Sequence, residues 1–261
     1  MSHSSAEHET ALDTVIVTAP AGSFRGLVAD GVRSWRGIPF AVDPTGDLRW
    51  RDPVSAPVVE GEVDALRFGP VCPQKPNPAV PLGDGAVMDE GCLTLNVWTP
   101  HATSTTLRPV MVWVHGGAYT FGSSSQPLFD ATSLVTNGDV VVVTINYRLG
   151  AFGFLDLAGL LPNGGFDRNL ALKDVLLALR WVQHNIAEFG GDAGSVTVFG
   201  ESAGGGLVTT LLATPSAEGL FHRAIAHSSR LSDTIATLSP FLMPRPASPP
   251  RKSSTFLPIS A

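Results

Sequence analysis

The chain has 261 residues, of which 44% are hydrophobic and 15% charged, and a formal net charge of −6. That composition allows a sizeable core and excludes a disordered chain, and its acidic balance leaves nothing basic over to neutralise nucleic-acid phosphates. The longest apolar runs, such as residues 140–145, fall far short of a bilayer span, and no basic-then-apolar leader opens the chain, so a cytoplasmic protein without membrane or nucleic-acid partners is expected.

Residues 1–13 are polar and expected to be disordered. From residue 14 to 40, short strands broken by Gly are predicted at 15–18, 25–28 and 34–38. Residues 41–90, rich in Pro and Gly, read as long surface loops. Residues 110–114 and 140–145 are continuous apolar runs of strand length, as in strands buried on both faces of a parallel sheet. A helix is predicted over 169–188, because Val175, Leu179, Val182 and Ile186 share one helical face. Gly190 and Gly191 end it. A buried strand at 195–199, a helix at 203–213 and a strand opening at 224–226 follow. Strands alternating with helices over residues 14–229 imply an α/β domain: an open, mostly parallel sheet with helices on both faces. Residues 230–261 contain no Gly but six Pro (240, 244, 246, 249, 250 and 258), so this stretch is expected to be a disordered or out-of-frame tail.

Two segments carry chemistry. Gly200-Glu201-Ser202-Ala203-Gly204 falls between a predicted strand and a predicted helix. There a tight turn holds the Ser202 hydroxyl out at the sheet edge, and small neighbours keep it accessible. Read alone, the pattern is equally a Gly-rich turn with a solvated serine. His115-Gly116-Gly117-Ala118-Tyr119 directly follows the strand at 110–114. A Gly pair at a strand end lets bare backbone N–H groups approach a developing oxyanion, although a turn needing positive φ would also explain it. Cys72 and Cys92, the only cysteines, are too few for a disulfide scaffold or a structural zinc site.

Beyond these, Arg36-Gly37-Ile38-Pro39-Phe40-Ala41, Leu48-Arg49-Trp50, Cys72-Pro73-Gln74, the run from Cys92 to Trp98, Asn146-Tyr147-Arg148-Leu149-Gly150 and Phe189-Gly190-Gly191-Asp192 occur in order. With Leu220 to Ile225, they make the chain resemble the amino-terminal half of a type B carboxylesterase. The resemblance covers residues 15–229. It implies an α/β-hydrolase fold, Ser202 as acyl-forming nucleophile, and an oxyanion hole made by the N–H groups of Gly117, Ala118 and Ala203. It further implies a turn at Gly116, Glu201 as a buried acid beside the serine, a Cys72–Cys92 disulfide alternative to two reduced thiols, a small-molecule ester substrate, and no metal or organic cofactor.

Departures from the family pattern matter as much. Ala118 stands where a third Gly is usual. No aromatic residue lies between Cys72 and Cys92, which argues against a quaternary-ammonium substrate. In this fold the order is Ser, then acid, then His. Only His222 and His227 follow Ser202, and the only later acids are Glu218 and Asp233. With no acid and base at the expected places, the chain reads as truncated and is expected to be inactive by itself. The alternatives are a catalytically dead hydrolase-fold binding module and a non-functional truncation product. Oligomeric state is not legible.

Overall fold

The structure, a computed structural model, describes residues 12–229 apart from Ala79 and Asp84. The expected disorder of the first residues and the expected tail over 230–261 therefore lie, apart from Leu12 and Asp13, outside the described residues.

The chain opens with an antiparallel meander of β1 (Thr14–Ala19), β2 (Gly22–Ala29) and β3 (Val32–Pro39). Asp30 and Gly31 join β2 to β3 with φ of 51° and 74°, the left-handed pair that matches the twist of a two-residue hairpin. Among the described residues, the loop-rich stretch after β3 contributes only one short strand, β4 (Glu62–Asp64), parallel to β2.

Besides β4, a long strand is not predicted from the sequence. β5 (Thr94–Pro100) is buried at every residue and runs antiparallel to both β3 and β7 (Val141–Ile145). Its Thr and Asn residues interrupt the apolar run that marks a buried strand, yet Asn96 is satisfied inside the protein, donating to Ser124 Oγ and Thr144 Oγ1 and accepting from Gly37 N–H.

The remaining strands are β6 (Arg108–Val114), β8 (Gly191–Glu201) and β9 (Arg223–His227). The sheet order is β1-β2-β3-β5-β7-β6-β8-β9. Its second half, β7-β6-β8-β9, is parallel as expected, whereas its first half is antiparallel, so the sheet is mixed. The parallel strands read as apolar runs because both faces are covered; the hairpin-linked strands need no crossover.

Five helices among the described residues complete the fold: α1 (Thr132–Gly138), α2 (Gly150–Phe154), α3 (Leu157–Leu160), α4 (Leu170–Asn185) and α5 (Ala203–Leu212). The face predicted for the long helix is the buried one: Val175, Leu179, Val182 and the following Ile186 are fully buried. Alternation along the strands splits the core in two. Val141 and Val143 join the larger cluster with α4 and α5, whereas Val142 and Trp98 join Val135 of α1 in the smaller one. Helices thus lie on both faces of the sheet.

Candidate active site

β8 runs between β6 and β9 and delivers Ser202 to the carboxyl edge of the sheet, where α5 begins. Ser202 has φ 54° and ψ −120°, a left-handed conformation that side chains normally avoid. Two hydrogen bonds hold it there: Ser202 N–H donates to His227 O, and Ser202 O accepts from Gly206 N–H, each at 2.9 Å. The flanking glycines are required by contact. A Cβ on Gly204 would sit 2.0 Å from Val114 O, and one on Gly200 would sit 2.6 Å from the Gly204 carbonyl carbon. A solvated turn would not be packed this way.

The strain at Ser202 has a measurable consequence. Glycine adopts this backbone freely, so Ser202→Gly is expected to raise the unfolding free energy by about 1 kcal/mol, after the entropic cost of glycine in the unfolded chain. Urea unfolding reads this directly; a destabilised variant would mean that the backbone at Ser202 is relaxed.

The segment after β6 folds over this turn. A Cβ on Gly116 would lie 2.9 Å from Glu201 Oε2 and 3.3 Å from Ser202 Cβ, so bare backbone touches the serine. Gly116 does not make the turn, contrary to expectation. The turn belongs to Gly117, at φ 116°, where a Cβ would meet Phe121 O at 1.9 Å. Ala118 and Tyr119 continue it at φ 51° and 62°. Thr120 and Phe121 close it by donating to Gly117 O at 2.9 and 3.0 Å. Among the described residues, no hydrogen bond engages the N–H groups of Gly117, Ala118 or Ala203. Glu201 is half-buried rather than buried, its carboxylate lying against Gly116.

His115 and Tyr147 set the direction of this loop. His115 is buried and stacks on the Tyr147 ring, with centroids 4.4 Å apart and an 18° interplanar angle. Tyr147 Oη donates to His115 O at 2.7 Å. His115 Nδ1 lies 2.8 Å from Gly116 O, which assigns the proton of the neutral ring to Nδ1 as donor. A trans peptide is planar, so anchoring Gly116 C=O turns Gly117 N–H the opposite way. Asn146-Tyr147-Arg148 is recognisable in the sequence as a motif, but nothing local reveals that Tyr147 bonds to a residue 32 positions away.

Burial pushes the pKa of His115 down from 6.5 to about 4, only weakly opposed by its bond to Gly116. The unfolded chain therefore takes up a proton near pH 6.5 that the folded chain refuses until about pH 4. Stability is expected to fall as pH drops through that window, by up to about 3 kcal/mol from this group. Urea midpoints measured from pH 7 to pH 4.5 for the native chain and His115→Gln isolate it. The two pH profiles should diverge steadily below pH 6.5; parallel profiles would refute the assignment.

Behind the loop, Arg148 and Asp174 form a fully buried ion pair, with Arg148 Nη2 donating to Asp174 Oδ1 at 2.7 Å. Cys72 and Cys92 are both buried and free. A hydrogen bond with Cys72, followed by burial, pushes the Cys92 thiol well above its ordinary pKa. Among the described residues, no side-chain hydrogen bond joins a base to Ser202. His222 Nδ1 accepts from Val196 N–H at 3.1 Å, at the far end of β8, and the exposed His227 ring lies 3.3 Å from Ser228 Oγ.

Comparison with known proteins gives this arrangement a context. A family model described as "Carboxylesterase family" matches residues 13–246. The para-nitrobenzyl esterase of Bacillus subtilis (strain 168) is 46% identical over 215 residues, covering 82% of this chain and 43% of that protein. Acetylcholinesterase-1 of Trittame loki is 44% identical over 223 residues, covering 82% of this chain and 39% of its own length. A solved thermophilic PNB esterase superposes with a TM-score of 0.77 at 44% identity, over 86% of this chain and 48% of that one. The chain thus spans less than half the length of these relatives.

Proposed function

We propose, from the premise that this chain belongs to the carboxylesterase family, that it supplies the nucleophile and oxyanion hole of a serine hydrolase of carboxylic esters. The observation that carries this reading is the seating of strained Ser202 beside Gly116, the residue before Gly117, while among the described residues no hydrogen bond engages the N–H groups of Gly117, Ala118 or Ala203.

In the proposed mechanism Ser202 Oγ bonds to the ester carbonyl carbon, and the C=O electron pair moves onto oxygen. The N–H groups of Gly117, Ala118 and Ala203 receive that oxyanion. The carbonyl re-forms as the C–O bond to the alcohol breaks, the alcohol leaving with the proton that came from Oγ. Water then repeats the sequence on acyl-Ser202 and releases the acid. No metal or organic cofactor enters. A neutral serine hydroxyl is a poor nucleophile without a base. Neither His222 nor His227 is seated to take the proton, so the base and its acid are assigned to a further segment like the carboxyl-terminal portion of the longer relatives.

The test is covalent labelling with a fluorophosphonate. The 261-residue protein alone is expected to leave Ser202 unlabelled. Residues 13–229 joined to the carboxyl-terminal part of the 46%-identical relative are expected to label it stoichiometrically. Labelling of the isolated chain would reveal an internal base, with His227 the first candidate. Labelling of another serine in the joined protein would overturn the reading. A non-hydrolytic binding module is the second reading, favoured by the missing base. It gains if the joined protein folds and stays unlabelled.

The thiol pair follows the compartment. In a cytoplasm Cys72 and Cys92 stay reduced, and in an oxidising medium they bridge, adding about 3 kcal/mol of stability. Thiol titration of the denatured protein, before and after oxidation, should fall from two groups to none; two persisting thiols would exclude the bridge.

A further inference from the structure

We propose that Gln74 is a positioning residue of the oxyanion loop, its side-chain amide clamping the backbone of Gly122 and so fixing the Gly116–Gly117 peptide. The inference rests on the reading of Gly117 N–H as an oxyanion donor.

Gln74 Oε1 accepts from Gly122 N–H at 2.7 Å, and Gln74 Nε2 donates to Gly122 O at 2.9 Å. The same Nε2 donates to Cys72 O at 3.0 Å. One side-chain amide thereby meets both backbone groups of Gly122 as a neighbouring strand would, at a place where no strand runs. Gly122 in turn forms the wall of the loop. At φ 107°, a Cβ on it would stand 2.6 Å from Gly116 O and 2.7 Å from His115 Nδ1. The Gly116 carbonyl is thus held between the His115 ring and the Gly122 backbone, which leaves Gly117 N–H one direction. Tyr147 fixes the His115 carbonyl from one side, and Gln74 fixes Gly122 from the other. No charged side chain takes part in the clamp, so salt should leave it unchanged.

The test uses the 261-residue protein and needs no turnover. Gln74→Met keeps the bulk and removes the hydrogen bonds; Gln74→Ala removes both. Amide hydrogen exchange at Gly122, Phe121 and Thr120 is expected to accelerate about 30-fold in each variant, with β2 and α4 unchanged. The imidazole ¹⁵N signals of His115 should shift towards mixed tautomers as Gly116 O is released, a signature that a general loss of stability would not produce. Unchanged exchange in the loop, or equal acceleration in β2 and α4, overturns the clamp; so does loss of folding in Gln74→Met, which would make Gln74 a packing residue. Failure of ester hydrolysis in the joined protein would leave these exchange results standing. Hydrolysis with unchanged exchange would remove Gln74 alone.

Discussion

In a chimaera that joins residues 13–229 to the carboxyl-terminal part of the Bacillus subtilis para-nitrobenzyl esterase, Ser202→Ala is expected to lower kcat for a nitrophenyl ester by about 10⁶-fold. The magnitude follows from the mechanism. Without Oγ no acyl intermediate forms, and what remains is binding plus an oxyanion hole, worth roughly 10³- to 10⁴-fold over water. Losing one oxyanion donor is expected to cost less, about 10²- to 10³-fold. Gly117→Ala tests that donor, because its methyl group would fall 1.9 Å from Phe121 O and force the turn open. The 46% identity over 215 residues makes the joint between the two parts workable. Turnover by the chimaera that survives Ser202→Ala would sink the assignment of the nucleophile. A rate lost equally in both variants would point to collapse of the loop rather than to separate roles.

Asp174→Ala is expected to cost about 3–5 kcal/mol of stability, the largest effect of any single side chain described above. Asp174 is 0% and Arg148 2% exposed, so removing the carboxylate leaves a guanidinium charge buried without its counter-ion. Asp174 accepts from Arg148 Nε at 2.9 Å, from Nη2 at 2.7 Å and from the Arg148 backbone N–H at 3.0 Å. Among the described residues, only the bond from Nη1 to Arg51 O, at 2.9 Å, survives the change. The pair ties α4 to the segment that carries Tyr147, so the oxyanion loop should loosen with it. Arg25 and Asp64 provide the contrast: they pair on the surface with 42% and 55% of their side chains exposed, and Asp64→Ala should cost under about 1 kcal/mol. The double change Asp174→Leu with Arg148→Met should recover most of the loss, because it removes both charges from the interior. Guanidinium unfolding of the four proteins decides the matter. A small loss in Asp174→Ala would mean that water reaches Arg148.

The sequence by itself determined the parts of this protein that short-range physics encodes. The 3.6-residue period of Val175, Leu179, Val182 and Ile186 places a buried helix face whatever packs on it. The apolar runs of β6 and β7 require cover on both sides. A serine with Gly200 and Gly204 two residues to either side, at a strand-to-helix turn, marks Ser202 as a candidate for a strained turn, although the same pattern also fits a solvated serine. Only the tertiary structure decided the rest, because it depends on which distant segments meet. β5 was hidden because Asn96 and its threonines look exposed until partners from elsewhere in the chain satisfy them. Gly116 and Gly117 look equivalent in sequence, yet contact with Glu201 and Ser202 requires the first and backbone conformation requires the second. The bonds that aim the loop, from Tyr147 to His115 and from Gln74 to Gly122, span 32 and 48 residues. No local pattern encodes such pairs: they exist only once the strand order β5-β7-β6-β8 has brought the turns after β6, β7 and β8 together at one edge of the sheet.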